Sequence, residues 1–365
     1  MKKILFRSAV ISFWLLLLIT ILYWPKITWQ TTDKNSINVF AWGDILDPDV
    51  VKDFEKTTGI KVHLNYYSSN EELIVKLKAT HGEGYDLIIP SDYAVQILIR
   101  ENLLKPLDKT QLHFWNTLNP LLLGHFYDPD NRYSIPFEWE IYGLGIDKDY
   151  FQNRPLTPSW RLIFDPNLID YRIGMVNDPI EAVLFASFYL YGDQNNLSLP
   201  QQYAIGQLLI QQHQWVAVYA SFRADYLLAT KNCPVVIASS SYIWRTMRNY
   251  PYVHFLIPEE GTFITIENLG IPLASTKEDL VYQFLNYLYS KESSAAHFAT
   301  YGFFPSTTHA YDLMHLDPLA DQLIHSSKEQ FSKYHFIQEL LPEEEIRNIW
   351  VEVKSGYSES YCELH

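Results

Sequence analysis

The first third of the chain alternates short apolar runs with capped helical stretches, and this alternation leaves few folds open. Ser36–Trp42 has a strand pattern and ends at the turn-like Gly43-Asp44. Asp47-Pro48-Asp49 then caps a helix expected to run through Lys56, and Gly59 stops it. Ile60–Tyr66 reads as a second strand, and Asn70-Glu71-Glu72 opens a helix to about Thr80. Tyr85-Asp86-Leu87-Ile88-Ile89-Pro90 is a buried strand, after which Ser91 begins another helix. Strand–helix–strand–helix–strand predicts a parallel α/β sheet. Ligands of such sheets bind beyond the carboxyl ends of the strands. That rule selects Trp42-Gly43-Asp44 and Ser91-Asp92-Tyr93.

A second α/β region follows, and 365 residues suffice for two lobes with separate cores. Arg172–Val176 reads as a strand. Asn177-Asp178-Pro179-Ile180-Glu181 opens a helix, with Asp178 as cap, Pro179 at the first helical position and Glu181 placed for a capping box. Pro234–Ser239 is a buried strand that runs into Ser239, Ser240 and Ser241. Thr262–Leu269 is apolar except around Glu267, and a carboxylate in such a run needs a partner. Val281–Leu288 is an amphipathic helix, and Glu343-Glu344-Glu345 a solvated helix start. There is no internal repeat and no low-complexity stretch.

Hydrophobic residues make up 48% and charged residues 19%, which predicts a globular body rather than disorder. The net charge of −14 makes nucleic acid a poor partner and suits a cationic ligand. The 26 tyrosines and 10 tryptophans supply ring faces on which cations can rest. No G-x-S-x-G elbow, H-E-x-x-H motif or P-loop occurs. Gly143-Leu144-Gly145 lacks the third glycine of a dinucleotide fingerprint, and the 12 histidines lack ligand spacing. Asp178 and Glu181 could do acid–base work but have no accompanying nucleophile or metal set. No catalytic residue, cofactor or metal is therefore expected. An exported hydrolase survives only as a class that nothing excludes.

Lys2, Lys3 and Arg7 precede the uncharged stretch Ser8–Trp24, the pattern of an export segment. No small-x-small cleavage site follows, and no cysteine for lipid attachment. Residues 1–30 thus read as a signal peptide or as an uncleaved membrane anchor. Cys233 and Cys362 are the only cysteines; a single disulfide and two free thiols are both open.

Several separate stretches, in order over roughly residues 37 to 310, resemble the bacterial spermidine/putrescine-binding proteins, periplasmic components of polyamine uptake transporters. They are Phe54-Glu55-Lys56-Thr57-Thr58-Gly59-Ile60-Lys61-Val62, Ser69-Asn70-Glu71, and Tyr85-Asp86-Leu87-Ile88-Ile89-Pro90-Ser91. Asp128-Pro129-Asp130-Asn131 with Tyr133-Ser134-Ile135-Pro136 and Phe284-Leu285-Asn286-Tyr287-Leu288 continue the series. The resemblance implies an α/β, two-lobed type II periplasmic binding protein fold, with two crossover strands and the ligand cleft between the lobes. The crossovers would fall near Tyr133–Asp147 and Phe255–Leu269. One lobe would comprise 37–138 and 268–310, the other 139–267 and 311–365. The implied partners are a small polyamine cation and an inner-membrane ABC permease; the implied state is a monomer. A membrane-anchored sensor of a different small cation is the alternative on the same fold.

The implied ligand set is Trp42, Asp44, Ser91, Tyr93, Asp178, Glu181 and Glu267. Trp42 matches the tryptophan that packs on the polyamine chain, and Asp44 resembles the acid of the W-S-D turn in putrescine-type members. Ser91 and Tyr93 match the third-strand turn. Asp178 and Glu181 match a D-x-x-E pair that holds an ammonium end, and Glu267 an aspartate on the second crossover. An ammonium taken from water needs such acceptors, and the methylenes between amines need apolar, ring-lined walls. The chain also departs from the family. Ile45, Ser239 and Thr265 stand where rings are usual, and Tyr242 near a usual carboxylate. Glu138 and Glu140 flank Trp139 where the family is mostly uncharged, and Phe303-Phe304 replaces a Gly-Tyr segment. Glu140, Ser239 and Phe303 are further candidates. Loss of ring walls suggests a pocket re-tuned in ligand length or spacing.

Overall fold

The computed structural model describes residues 13–15, 18, 34–152, 154–194, 196–220 and 224–355. Phe13–Leu15 and Leu18 are helical and exposed; the rest of the Ser8–Trp24 stretch, like Cys362, lies outside the described residues. Among the described residues no helix is long and apolar enough to cross a membrane. Cys233 is buried.

Eleven strands are described: β1 Ser36–Trp42, β2 Lys61–Tyr67, β3 Leu87–Ile88, β4 Ser134–Asp147, β5 Ile173–Met175, β6 Val216–Tyr219, β7 Val235–Ser239, β8 Val253–Leu256, β9 Thr262–Gly270, β10 Phe304–Pro305 and β11 Tyr334–Phe336. They join in the order β2-β1-β3-β9-β4-β7-β5-β6, with β8 and β10 on β4 and β11 on β9. β1, β2 and β3 are parallel, as are β5, β6 and β7. The long antiparallel pair β4–β9 links the two parallel halves.

The helices used below are α1 Pro48–Thr58, α2 Asn70–Thr80, α3 Asp92–Arg100, α4 Pro179–Tyr191, α5 Ser240–Met247, α6 Glu278–Leu288 and α7 Lys291–Tyr301. Their starts follow local chemistry. Asp47 accepts from the Asp49 and Val50 amides, and Ser69 from Glu72 N. Gly59, at φ 74°, closes α1 in the left-handed conformation that glycine adopts without strain.

Core residues show why β4 and β9 act as crossovers. Ile37, Val39 and Ala41 of β1 enter one apolar cluster, while Phe40 enters another on the opposite face. In the other half, Val235 and Ile237 of β7 enter one cluster, Val236 and Ala238 another. β4 passes through three of these: Ile135 and Phe137 lie in the first half's core, Trp139 and Ile141 in a shared cluster, Leu144 and Ile146 in the second half's.

Two strand expectations change. The run Tyr85–Pro90 contributes only Leu87–Ile88 as regular strand, though Asp86 N and Ile89 N still donate to Asn38 O and Phe40 O. Phe255 belongs to β8 rather than to the second crossover, because a turn at Pro258–Gly261 separates it from β9. Gly143 and Gly145 have a packing role on β4. A Cβ at Gly143 would lie 2.7 Å from Leu256 O, and one at Gly145 2.6 Å from the Ile243 and Leu228 methyls.

Candidate functional site at the crossover strands

Glu267, on β9, is held from the two turns that the sheet rule selects. The Trp42 indole Nε1, at the end of β1, donates to Glu267 Oε2 at 3.0 Å. The Ser91 hydroxyl, at the cap of α3, donates to Glu267 Oε1 at 2.8 Å. Asp92 follows, buried, accepting from Ile266 N at 3.0 Å, so α3 is fastened to the same crossover. Tyr93 turns its hydroxyl to Glu71 on α2, 3.0 Å away. The opposite wall comes from the start of α4. Asp178 caps that helix, accepting from Ile180 N at 2.8 Å and Glu181 N at 3.0 Å. Glu181 does not close the expected capping box. Its carboxylate accepts instead from the Tyr142 hydroxyl of β4 at 2.5 Å.

These groups surround one cavity of about 310 Å³. Trp42, Ser91, Tyr93, Asp178, Glu181, Glu267, Glu140, Ser239 and Phe303 all line it. Asp44 does not: it is exposed, at φ 59°, in the turn that follows Trp42. Ile45, Val176, Ile180 and Ala238 add apolar wall, and Trp42, Tyr93, Tyr242 and Phe303 add rings. Among the described residues, no lysine or arginine lines the cavity.

The carboxyls are strongly perturbed. Burial pushes Glu267 from the ordinary 4.5 up to about 8; Asp92 and Glu140 add repulsion, while the Ser91 and Trp42 donors pull the other way. Glu181 also rises to about 8, by burial and then by the Asp178 charge. Burial lifts Asp92 to about 7 and raises Asp178, whose two backbone donors oppose the effect. Glu140 is raised by burial, with the Ser241 and Ser239 hydroxyls and the Arg245 charge opposing. Its Oε2 is shielded from solvent and has no hydrogen-bond partner. Glu138, directly opposite Glu267 in the ladder, lies outside the cavity lining; burial and then Glu267 raise it well above the usual carboxylate range.

Sequence reasoning missed several wall residues. Glu71 and Asp92 sit inside stretches it had singled out, and Tyr142 is two residues beyond Glu140, on the same strand face. Gln338 and Glu339 come from the segment after β11, which pairs in parallel with β9. No local pattern marks them. Among the described residues, no group of three or more His, Cys, Asp or Glu is placed to hold a metal ion. The geometry can hold ammonium groups at two ends of an elongated apolar body.

The chain as a whole is similar to known proteins. The family model of bacterial extracellular solute-binding proteins matches residues 49–323. The putrescine-binding periplasmic protein PotF of Escherichia coli K12 is 29% identical over 296 residues, covering 76% of this chain and 79% of its own. A putrescine/cadaverine-binding protein of Pseudomonas aeruginosa is 30% identical over 273 residues, covering 71% and 76%. The spermidine/putrescine ABC transporter substrate-binding protein PotD of Streptococcus pneumoniae matches in structure with a TM-score of 0.76 at 20% identity, over 88% of this chain and 99% of its own. The fold is accordingly the two-lobed, type II periplasmic binding fold that the sequence led us to expect.

Proposed function

The chain belongs to the bacterial extracellular solute-binding proteins, and on that premise we propose that it captures a polyamine, a putrescine- or spermidine-like cation, in the periplasm for an inner-membrane ABC importer. The observation that carries the reading is the convergence of carboxyls, buried Glu267 from the crossover and half-buried Asp178 and Glu181 from the second half, on one cavity with apolar walls. Burial holds Glu267 and Glu181 near 8, with repulsion from Asp92 and Glu140 on the first and from Asp178 and Glu140 on the second. Ammonium groups between them would restore ionisation and form charge-assisted hydrogen bonds. Tyr93, Tyr242 and Trp42 supply faces and edges along the methylenes. Phe303 and Ser239 fill out that wall. Relatives are named for binding putrescine, cadaverine and spermidine, which supports the same ligand class.

We assign residues 37–138 with 268–310 to one lobe and 139–267 with 311–365 to the other; the separate apolar clusters around β1 and β5 support this division. A ligand touching Glu267, fastened to Trp42 and Ser91 of the first lobe, and Asp178 of the second would hold both lobes together. Residues 1–30 direct export, as a cleaved signal or a retained anchor, and sequencing of the mature N-terminus separates the two. Catalysis has no part in this reading. Calorimetry with putrescine, spermidine and spermine tests it, with heat expected for at least one; no heat for any would sink it.

A further inference from the structure

β4 carries an acid that the set just described does not use. Side chains of a strand alternate, so Glu138, Glu140 and Tyr142 share one face. The ladder puts Glu267 opposite Glu138, Thr265 opposite Glu140, and Ser239 opposite Tyr142. The Tyr142 hydroxyl in turn reaches Glu181. Along the crossover the cavity carboxyls therefore come in the order Glu267, Glu140, Glu181. With about 3.4 Å per residue, successive positions stand roughly 7 Å apart, and the outer two roughly 14 Å. Glu140 occupies the middle. It raises the pKa of both outer acids, and its Oε2 is buried without a hydrogen-bond partner. Arg245, the cation that acts on Glu140, lies over the Tyr242 ring at 4.7 Å and forms no ion pair with Glu140 among the described residues.

Resting on the polyamine reading above, we propose that Glu140 seats a central secondary ammonium, so that the cavity is built for a linear triamine whose terminal ammoniums lie at Glu267 and at Asp178–Glu181. With bonds of about 1.5 Å, nitrogens joined by three or four methylenes stand roughly 5–6 Å apart. A diamine of that length reaches two of the three acids and leaves the third protonated, so one charge-assisted hydrogen bond is forgone. A triamine of roughly 11 Å reaches all three with small side-chain adjustments. The apolar intervals of the ligand then face Thr265, Ala238 and the ring walls.

The test compares spermidine with 1,8-diaminooctane, which has the same chain length between terminal amines and a methylene in place of the central nitrogen. Calorimetry on the full protein should show spermidine bound about 10- to 100-fold more tightly, the range of one charge-assisted hydrogen bond. In Glu140→Gln the two affinities should draw to within about threefold, mostly through weaker spermidine binding. Equal affinity of the two in the wild type would overturn the assignment even if the variant failed to fold. So would Glu140→Gln variants that keep the preference or that weaken both ligands alike. Putrescine is included to separate the two claims. If it binds and spermidine is not preferred over 1,8-diaminooctane, Glu140 is misassigned and the polyamine reading stands; if neither it nor spermidine binds, both fall.

Discussion

Glu267→Gln is expected to stabilise the ligand-free protein at neutral pH and to flatten its pH dependence. Below about pH 4.5 the Glu267 carboxyl is protonated in the folded and the unfolded chain alike. As pH rises past 4.5 the unfolded chain ionises while the folded chain, held near 8, keeps its proton. The unfolded state then binds fewer protons, so stability falls with rising pH, and the loss is complete above about 8. At 1.36 kcal/mol per pKa unit, the full span is worth about 5 kcal/mol, of which about 3 kcal/mol is lost by pH 7. A glutamine cannot ionise, and it can still accept from Ser91 or Trp42. Urea denaturation at pH 4.5, 6, 7 and 8 measures the difference. The variant's advantage should grow by about 3 kcal/mol between pH 4.5 and 7, at unchanged m-value. Parallel stability curves across that range would refute the claim that burial holds this carboxyl neutral.

Cation capture should release protons: near pH 7, calorimetry of spermidine binding in buffers of different ionisation enthalpy should report a release approaching one proton or more, and affinity should rise by about tenfold per pH unit between pH 6 and 8 for each carboxyl that ionises. Pure salt exchange with no buffer dependence would contradict this. Asp178→Asn keeps a good helix cap, so its unfolding free energy should stay within about 0.5 kcal/mol of wild type while polyamine affinity drops 10- to 150-fold; an unchanged affinity would mean that the ammonium is held elsewhere. Asp128→Ala should cost about 3 kcal/mol in urea unfolding. Its carboxylate accepts from the Arg132, Tyr133 and Ser134 amides and the Ser134 hydroxyl, and so forms the turn that launches β4. Gly145→Ala should destabilise by about 1–3 kcal/mol, since its methyl would meet Ile243 and Leu228 inside van der Waals distance; a neutral effect would mean that β4 can shift.

Much of the architecture was legible in order along the chain. Periods of 2 and 3.6, the caps at Asp47 and Asp178, the helix start at Asn70-Glu71-Glu72 and the stop at Gly59 are local signals, readable because each acts within a few residues. They located β1 and α1–α4, and with them the turns at Trp42 and Ser91. The extent of β4 was expected within one residue from the family resemblance, which implied a crossover near Tyr133–Asp147. The capping-box reading of Glu181 failed because the pattern is also satisfied by a side chain that finds a better donor across the fold, here Tyr142. Asp44 does not line the cavity, and its positive φ in the turn after β1 is a feature that sequence alone hid.

The sequence by itself thus determined the elements of the first third, its parallel strands and the two turns where a ligand would sit. Only the tertiary structure decided what those turns hold. The register of β4 against β9 sets Glu138 opposite Glu267 and Glu140 opposite Thr265, and a shift of β4 by one residue would have turned Glu138 and Glu140 to the other face. Gln338 and Glu339 reach the cavity because β11 returns alongside β9. Strand alternation says which residues share a face; pairing between strands remote in the chain says which acids meet, and burial by the assembled walls says which of them keep their protons.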